Sequence, residues 1–272
     1  MFQSFSYYSQ YSYIDLNALT FISASGITDL TQKTAINQLT VDLKSYGLWE
    51  KMKAVYPFIG GTASTHKWNL INPVDTDDGF RLNFFGSITH NSNGITGNGL
   101  NAYALTYVAP SSSLTLNSTS ISIYSRSNIS TNSVDIGVGV DAGTDDRRLS
   151  LSIRFSNLFT SDQYNYTTGR VSLTNTSSLG LYTGNRSGSN SHKGYRNNTQ
   201  IGTTNTGSSG VISVLTGSIA LLGLWRQDIN NAHYFSSKNL SFAHIGDGLT
   251  DTEVVNLYSA VQKYQTILGR QV

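Results

Sequence analysis

The chain has 272 residues, a formal net charge of +2 and no cysteine, which excludes disulfide scaffolds and thiolate metal sites. Only 12% of it is charged, while Ser, Thr and Asn together make up about a third, against a usual charged share of about 25%. The surface is therefore built of hydroxyls and amides, which suits exposed β-sheets with Ser and Thr outward. Lys and Arg are dispersed, with Arg147 and Arg148 the one adjacent pair. No basic stripe could follow a phosphate backbone, so nucleic acid is not an expected partner. No stretch approaches the ~20 apolar residues of a membrane span, and no membrane insertion is expected. The first 30 residues lack Lys and Arg and hold no unbroken apolar run, so neither half of a secretory signal is present.

Residues 1–14 form a Tyr- and Ser-rich arm in which Tyr7, Tyr8, Tyr11 and Tyr13 alternate with polar residues. So many aromatics are costly to leave in water, and the arm is expected either to fray or to pack against a partner or a sister subunit. Residues 15–56 read as a helical appendage. Ile36, Leu39, Leu43 and Tyr46 fall at helical spacing, with Asp29 or Thr31 as cap and Gly47 as stop. A second short helix is predicted over Leu48–Val55, ending before Pro57.

Residues 57–272 read as a β-domain. Strands are predicted at Arg81–Phe85, Tyr103–Val108, Ser120–Tyr124, Val134–Val140, Leu179–Tyr182 and Ser218–Trp225, at intervals that suit a sandwich. The clearest is Arg148–Phe155, where Leu149, Leu151, Ile153 and Phe155 alternate with Arg148, Ser150, Ser152 and Arg154, giving one core face and one wet face. Asn197-Asn198 marks a hairpin turn. From Ala232 the chain reads as a strand pair that leads into a terminal helix. Thr250 and Glu253 form a capping box for that helix, Val254, Leu257, Tyr258, Val261 and Leu268 its apolar stripe, and Gly269 its stop. The expected fold class is mainly β: an antiparallel jelly-roll β-sandwich with an N-terminal helical appendage and a C-terminal helix.

The segments KGYRNNTQIG, SIALLGLW and YFSSKNLSFAHIGDGLTDTEVVNLYSAVQ resemble the closing part of concanavalin A-like jelly-roll domains of the laminin G-like kind. FRLNFFGSITH, GNGLNAYALT and SISIYSR are similar to their early strands. The stretch INQLTVDLKSYGLWEKMKAVYPFIGGTASTHKWNLINP and the ending LGRQV resemble a module of bacteriophage tail-fibre or head-fibre proteins, so the resemblance spans about residues 15–272. It implies a virion surface protein made in the host cytoplasm, with other virion proteins as partners and a homo-oligomer, a trimer first, as its assembly state. Jelly rolls host lectins, hydrolases, lyases and purely structural modules alike, so the fold leaves the activity open.

The residues narrow it. A two-carboxylate glycosidase needs a close pair of acids on the sheet, whereas the only two Glu, Glu50 and Glu253, fall in helices. Asp75, Asp77 and Asp78, like Asp141, Asp145 and Asp146, fall in turn-like loops where solvated Asp is ordinary. Gln-x-His and Gly-x-Ser-x-Gly are absent. The five histidines are far apart and read as separate residues, so no metal or cofactor is called for. Asp75, Asp77 and Asp78 are the one weak calcium candidate. Sugar binding needs aromatic faces and planar polar groups. Tyr124, Arg126, Tyr164, Tyr166, Tyr182, Arg186, His192, Tyr195 and Arg196 supply these residue types, although strand tyrosines are more often half-buried structural residues. Trp68 and Trp225 are expected in the core. The reading is a non-enzymatic fibre or adhesin module that binds glycans on a host or environmental surface. A purely structural decoration protein is the alternative, and a glycan-degrading enzyme is disfavoured.

Overall fold

The computed structural model describes residues 14–140, 147–207 and 210–272. The chain opens with helices α1 (Leu16–Ser25) and α2 (Leu30–Ser45), then strand β1 (Met52–Tyr56) and the one-turn helix α3 (Ala63–His66). Short strands follow: β2 (Asn83–Phe85), β3 (Thr89–Asn91), β4 (Gly94–Thr96) and β5 (Tyr103–Leu105), with the one-turn helix α4 (Pro110–Ser113) after them. The longer strands are β6 (Thr119–Ser125), β7 (Ile136–Gly139), β8 (Arg148–Phe155), β9 (Leu158–Gln163), β10 (Val171–Thr174), β11 (Gly180–Gly188), β12 (Ser191–Arg196) and β13 (Thr199–Asn205). The chain closes with β14 (Ala220–Leu221), β15 (Leu224–Arg226), β16 (Asn231–His233), β17 (Asn239–Gly246) and helix α5 (Asp251–Ile267).

These strands form two sheets packed face to face, a β-sandwich. The first runs β13-β12-β11-β6-β17-β4-β3, with β1 also paired to β17; the second runs β10-β9-β8-β7-β14-β5-β2, with β15 and β16 attached. All pairings are antiparallel except β15 with β7. Between the sheets lies a core of alternating residues, among them Ile121 and Ile123 of β6, Leu149, Leu151 and Ile153 of β8, and Ala243 and Ile245 of β17.

The first sheet is covered on its other face as well. Tyr124, Leu181, Tyr195 and Phe242 point away from the sandwich core into a second cluster with Ile36, Leu39 and Leu43 of α2 and Val254, Leu257, Val261 and Tyr264 of α5. Every residue of β6 is accordingly buried. The predicted caps form: Asp29 accepts from the Gln32 amide at the start of α2, and Thr250 and Glu253 close a reciprocal box on α5. Tyr46, expected on the α2 stripe, is instead exposed at the C-cap.

Four further expectations are corrected. Leu48–Val55 is not a helix: a single 3-10 turn (Trp49–Lys51) leads straight into β1, which pairs with β17 from Met52 to Tyr56. Burial of Met52, Ala54, Val55 and Tyr56 in both cores decides the matter against local helix preference. Ser218–Trp225 is not one strand, because Leu222 takes a left-handed φ of 62°. The kink reverses the chain, so that β14 pairs antiparallel with Ile136 and Gly137, and β15 parallel with Val138 and Gly139. The strand pair expected after Ala232 is split, with β16 joining the second sheet and β17 the first. Trp68 and Trp225, expected in the core, are only partly buried at its edges.

Candidate functional site

Among the described residues no helix cluster covers the outer face of the second sheet, and the hydroxyl-rich strands cross there. Ser152 of β8, Thr160 of β9 and Ser172 of β10 lie directly opposite one another, forming one row of hydroxyls. In the next row Ser150 faces Asp162, with Arg170 beside it just before β10. The period of two that sends Leu149, Leu151 and Ile153 inward sends these residues outward.

This face is not an open wet surface, as the alternation alone predicts. The segment after β9 folds back over it, so that Arg148, Ser150 and Ser152 are only 8%, 2% and 3% exposed. The result is a cleft of 280 Å³. Its floor and walls include the four hydroxyls, Arg148, Arg170 and Tyr166, and its rim Phe155, Leu158 and Tyr234. Tyr234 is held at a left-handed φ of 55° and stays 39% exposed, which leaves an aromatic ring at the mouth.

A fixed electrostatic arrangement underlies the cleft. Arg170 makes a forked pair with the fully buried Asp162, Nε to Oδ1 and Nη2 to Oδ2, both at 2.7 Å. Ser150 donates to the same carboxylate at 2.8 Å. The Tyr166 ring lies against both guanidiniums, with Arg148 Cζ 4.5 Å and Arg170 Cζ 3.9 Å from its centre. Such cation–π contacts fix a tyrosine and an arginine in one orientation. The cleft thus offers pre-oriented hydroxyls and planar donors beside apolar patches, a combination for binding polyhydroxylated molecules. Asp162, the carboxylate beneath it, is committed to Arg170 and Ser150.

Of the predicted sugar-binding residues, only Tyr166 lines this cleft. The others are buried or tied by hydrogen bonds, all of them on or beside strands of the first sheet except Tyr164, which follows β9. Tyr124 lies under α5 with its hydroxyl donating to Gln262 Oε1 at 3.0 Å, and Arg126 Nε donates to the Arg270 carbonyl at 2.7 Å. Tyr195 donates to Asp251 Oδ1 at 2.6 Å, and burial together with that carboxylate pushes its phenol up. Tyr182 sits in the sandwich core, donating to the Ser177 carbonyl, with Arg196 bonded to the Ser177 hydroxyl and lying over the ring. Tyr164, Arg186 and His192 are fully buried between the sheets. His192 donates from Nδ1 to the Gly169 carbonyl, leaving Nε2 to accept from Ser161, and burial holds its pKa down at about 3.

The calcium candidate resolves into ion pairs. Asp75 binds Lys67 at 2.6 Å and Arg81 at 3.1 Å, Asp77 also binds Arg81, and Asp78 is exposed in the 3-10 turn it shares with Asp77. Among the described residues no cluster of three metal-ligating side chains occurs. Asp141, Asp145 and Asp146, and the arm residues Tyr7, Tyr8, Tyr11 and Tyr13, lie outside the described residues. The histidines are not all separate: His66 and His90 meet with their Nδ1 atoms 3.0 Å apart.

Sequence reasoning passed over Arg148, Ser150, Ser152, Thr160, Arg170, Ser172 and Tyr234 as site residues. The alternation of β8 carried part of the signal, but nothing local announces the fold-back of residues 164–170.

No family model matches the sequence, and no curated protein matches it. Solved structures do. A Trypanosoma rangeli sialidase in complex with sialic acid aligns over 77% of this chain at 9% identity and TM-score 0.51. A mutant of that sialidase displaying trans-sialidase activity aligns over 86% at 11% identity and TM-score 0.52. The chain spans 33% and 39% of those two proteins, and the likeness is one of fold. The CBM40 of Ruminococcus gnavus IT-sialidase, bound to alpha2,3 sialyllactose, aligns over 53% of this chain and 82% of its own at 20% identity and TM-score 0.41.

Proposed function

We propose that the protein is a non-catalytic glycan-binding module, displayed in several copies on a bacteriophage virion, and that the cleft on the outer face of β8, β9 and β10 is its sugar site. The observation that carries this reading is the row Ser152–Thr160–Ser172 set beside two fixed guanidiniums and the exposed Tyr234 ring. Hydroxyls beside a fixed positive charge suit sugar hydroxyls, while Tyr234, Phe155 and Leu158 suit the apolar face of a pyranose. A shallow cleft of this size binds weakly, and repetition over a virion raises the avidity. The phage setting rests on the resemblance of residues 15–272 to fibre modules, with the Tyr-rich arm as the contact to other virion proteins or to sister subunits.

The test is a glycan array probed with a multimerised form of the protein, with neutral and sialylated oligosaccharides among the probes. Tyr234→Ala is expected to weaken binding about tenfold, the worth of one lost stacking contact. Ser172→Trp, which fills the cleft from an exposed position, is expected to abolish it. Binding unchanged in both variants would move the site elsewhere. No binding by the multimer would leave a structural role in the particle, and shortened glycan chains after long incubation would make the protein an enzyme.

A further inference from the structure

Arg186, on β11, is fully buried between the sheets. Its Nη1 donates to the carbonyls of Ser189 at 2.8 Å and Gly207 at 3.3 Å, while Nε and Nη2 have no hydrogen-bond partner among the described residues. These two nitrogens form the side edge of the guanidinium, the fork that matches an anion. Arg170 shows what that edge does elsewhere in this chain, since its Nε and Nη2 grip Asp162.

No carboxylate among the described residues pairs with Arg186. The titratable groups that act on it or sense it are Tyr164 and His192. Burial holds Tyr164 protonated and keeps His192 neutral. Neither supplies a negative charge. Two other deeply buried cationic side chains are dealt with differently: Lys238 pairs with Asp135 at 3.0 Å, and Arg270 is wrapped by the carbonyls of Pro57, Phe58, Ser92 and Ser241 and by Gln265. A buried cation that lacks both devices is strongly destabilising unless an opposite charge joins it.

We propose that the Nε–Nη2 edge of Arg186 binds a small monovalent inorganic anion, chloride in ordinary buffers, enclosed between the two sheets. The side chain has no solvent exposure, so an acidic sugar or peptide cannot reach it, and the counter-charge it calls for is that of a small ion. Gly207, whose carbonyl accepts from Arg186, also lines a polar groove with Thr168, Thr203 and Asn205 on the surface. The inference rests on the fold and is independent of the sugar site.

The protein would be exchanged into gluconate and titrated with chloride or bromide at constant ionic strength while its thermal midpoint is followed. A saturable rise of about 3 °C is expected at tenfold the dissociation constant, and Arg186→Met, which removes the charge but keeps the bulk, should lose the response. Should that variant fail to fold, crystals of the unmodified protein grown with bromide decide the question through an anomalous peak within hydrogen-bond distance of Nε and Nη2. A flat halide titration, an equal response in Arg186→Met, or water alone at that edge would each overturn the proposal.

Discussion

Lys238 and Asp135 are both fully buried, and the pair is completed on every side. Lys238 Nζ donates to Asp135 Oδ1, Ser133 and Thr131, while Asp135 also accepts from Ser236 and from the Ile153 amide. Removing one member leaves the other charged and without its counter-charge in the interior. Lys238→Met is therefore expected to cost about 3–5 kcal/mol, and adding Asp135→Asn to it should cost less than the two single changes summed. Denaturant unfolding of the three variants checks this; a Lys238→Met loss below about 1 kcal/mol would show that the pair is not what holds β17 to the second sheet. Nothing in the local sequence reveals this pair, since 103 residues separate its members.

At the scale of elements, the parts legible from sequence are those whose signals are local. The Thr250–Glu253 box, the Asp29 cap and the Asn197-Asn198 hairpin each place their deciding groups within a few residues of one another. The misread parts are decided by distant partners. Met52–Tyr56 becomes a strand because β17 offers an edge some 190 residues later, and SIALLGLW breaks at Leu222 because β7 takes both halves in opposite senses. The site follows the same division: Ser150 and Ser152 are legible as an outward face, whereas the wall supplied by Tyr166 and Arg170 depends on the tertiary fold. The box itself can be dissected. Thr250→Ala removes the acceptor for the Glu253 amide and is expected to cost about 1 kcal/mol, or about 2–4 °C in midpoint. Glu253→Gln keeps that bond and can still accept from the Thr250 amide, losing only the partly exposed pair with Lys51 at 2.6 Å, which is worth about 0–1 kcal/mol. Equal losses in the two variants would place the weight on the Lys51 link between α5 and the turn before β1, and not on the cap.

For the molecule as a whole, three histidines tie folding to pH. His66, His192 and His244 are buried, and burial lowers each to about 3 from the usual 6.5. His66 Nε2 accepts from the Gly61 amide, which only a neutral ring can do; His244 donates from Nε2 to Ser120 Oγ at 2.9 Å, because that hydroxyl itself donates to the Asp247 carbonyl, and among the described residues its buried Nδ1 meets no acceptor for a second proton. Unfolded, each takes up a proton as pH falls below 6.5; folded, none does until about 3. The stability from neutral burial is thus complete above 6.5 and is lost progressively on acidification, by up to about 1.4 kcal/mol per pH unit for each histidine. Three together give about 4 kcal/mol per unit, enough to exhaust an ordinary domain stability of about 5–15 kcal/mol two or three units below 6.5. Carboxylates act in a separate window. Asp75 and Asp251, held low by hydrogen bonds from Lys67 and Lys193, lose their contribution only below about pH 4. Unfolding free energy is accordingly expected to be flat from pH 8 to 7 and to fall steeply between 6 and 4.5. In His192→Gln the slope should drop by the equivalent of one proton, even though the variant starts less stable for want of its bonds to Gly169 and Ser161. Denaturant titrations across that range test both statements, and a pH-independent stability between 6.5 and 4.5 would mean that these histidines do not reach the interior in solution.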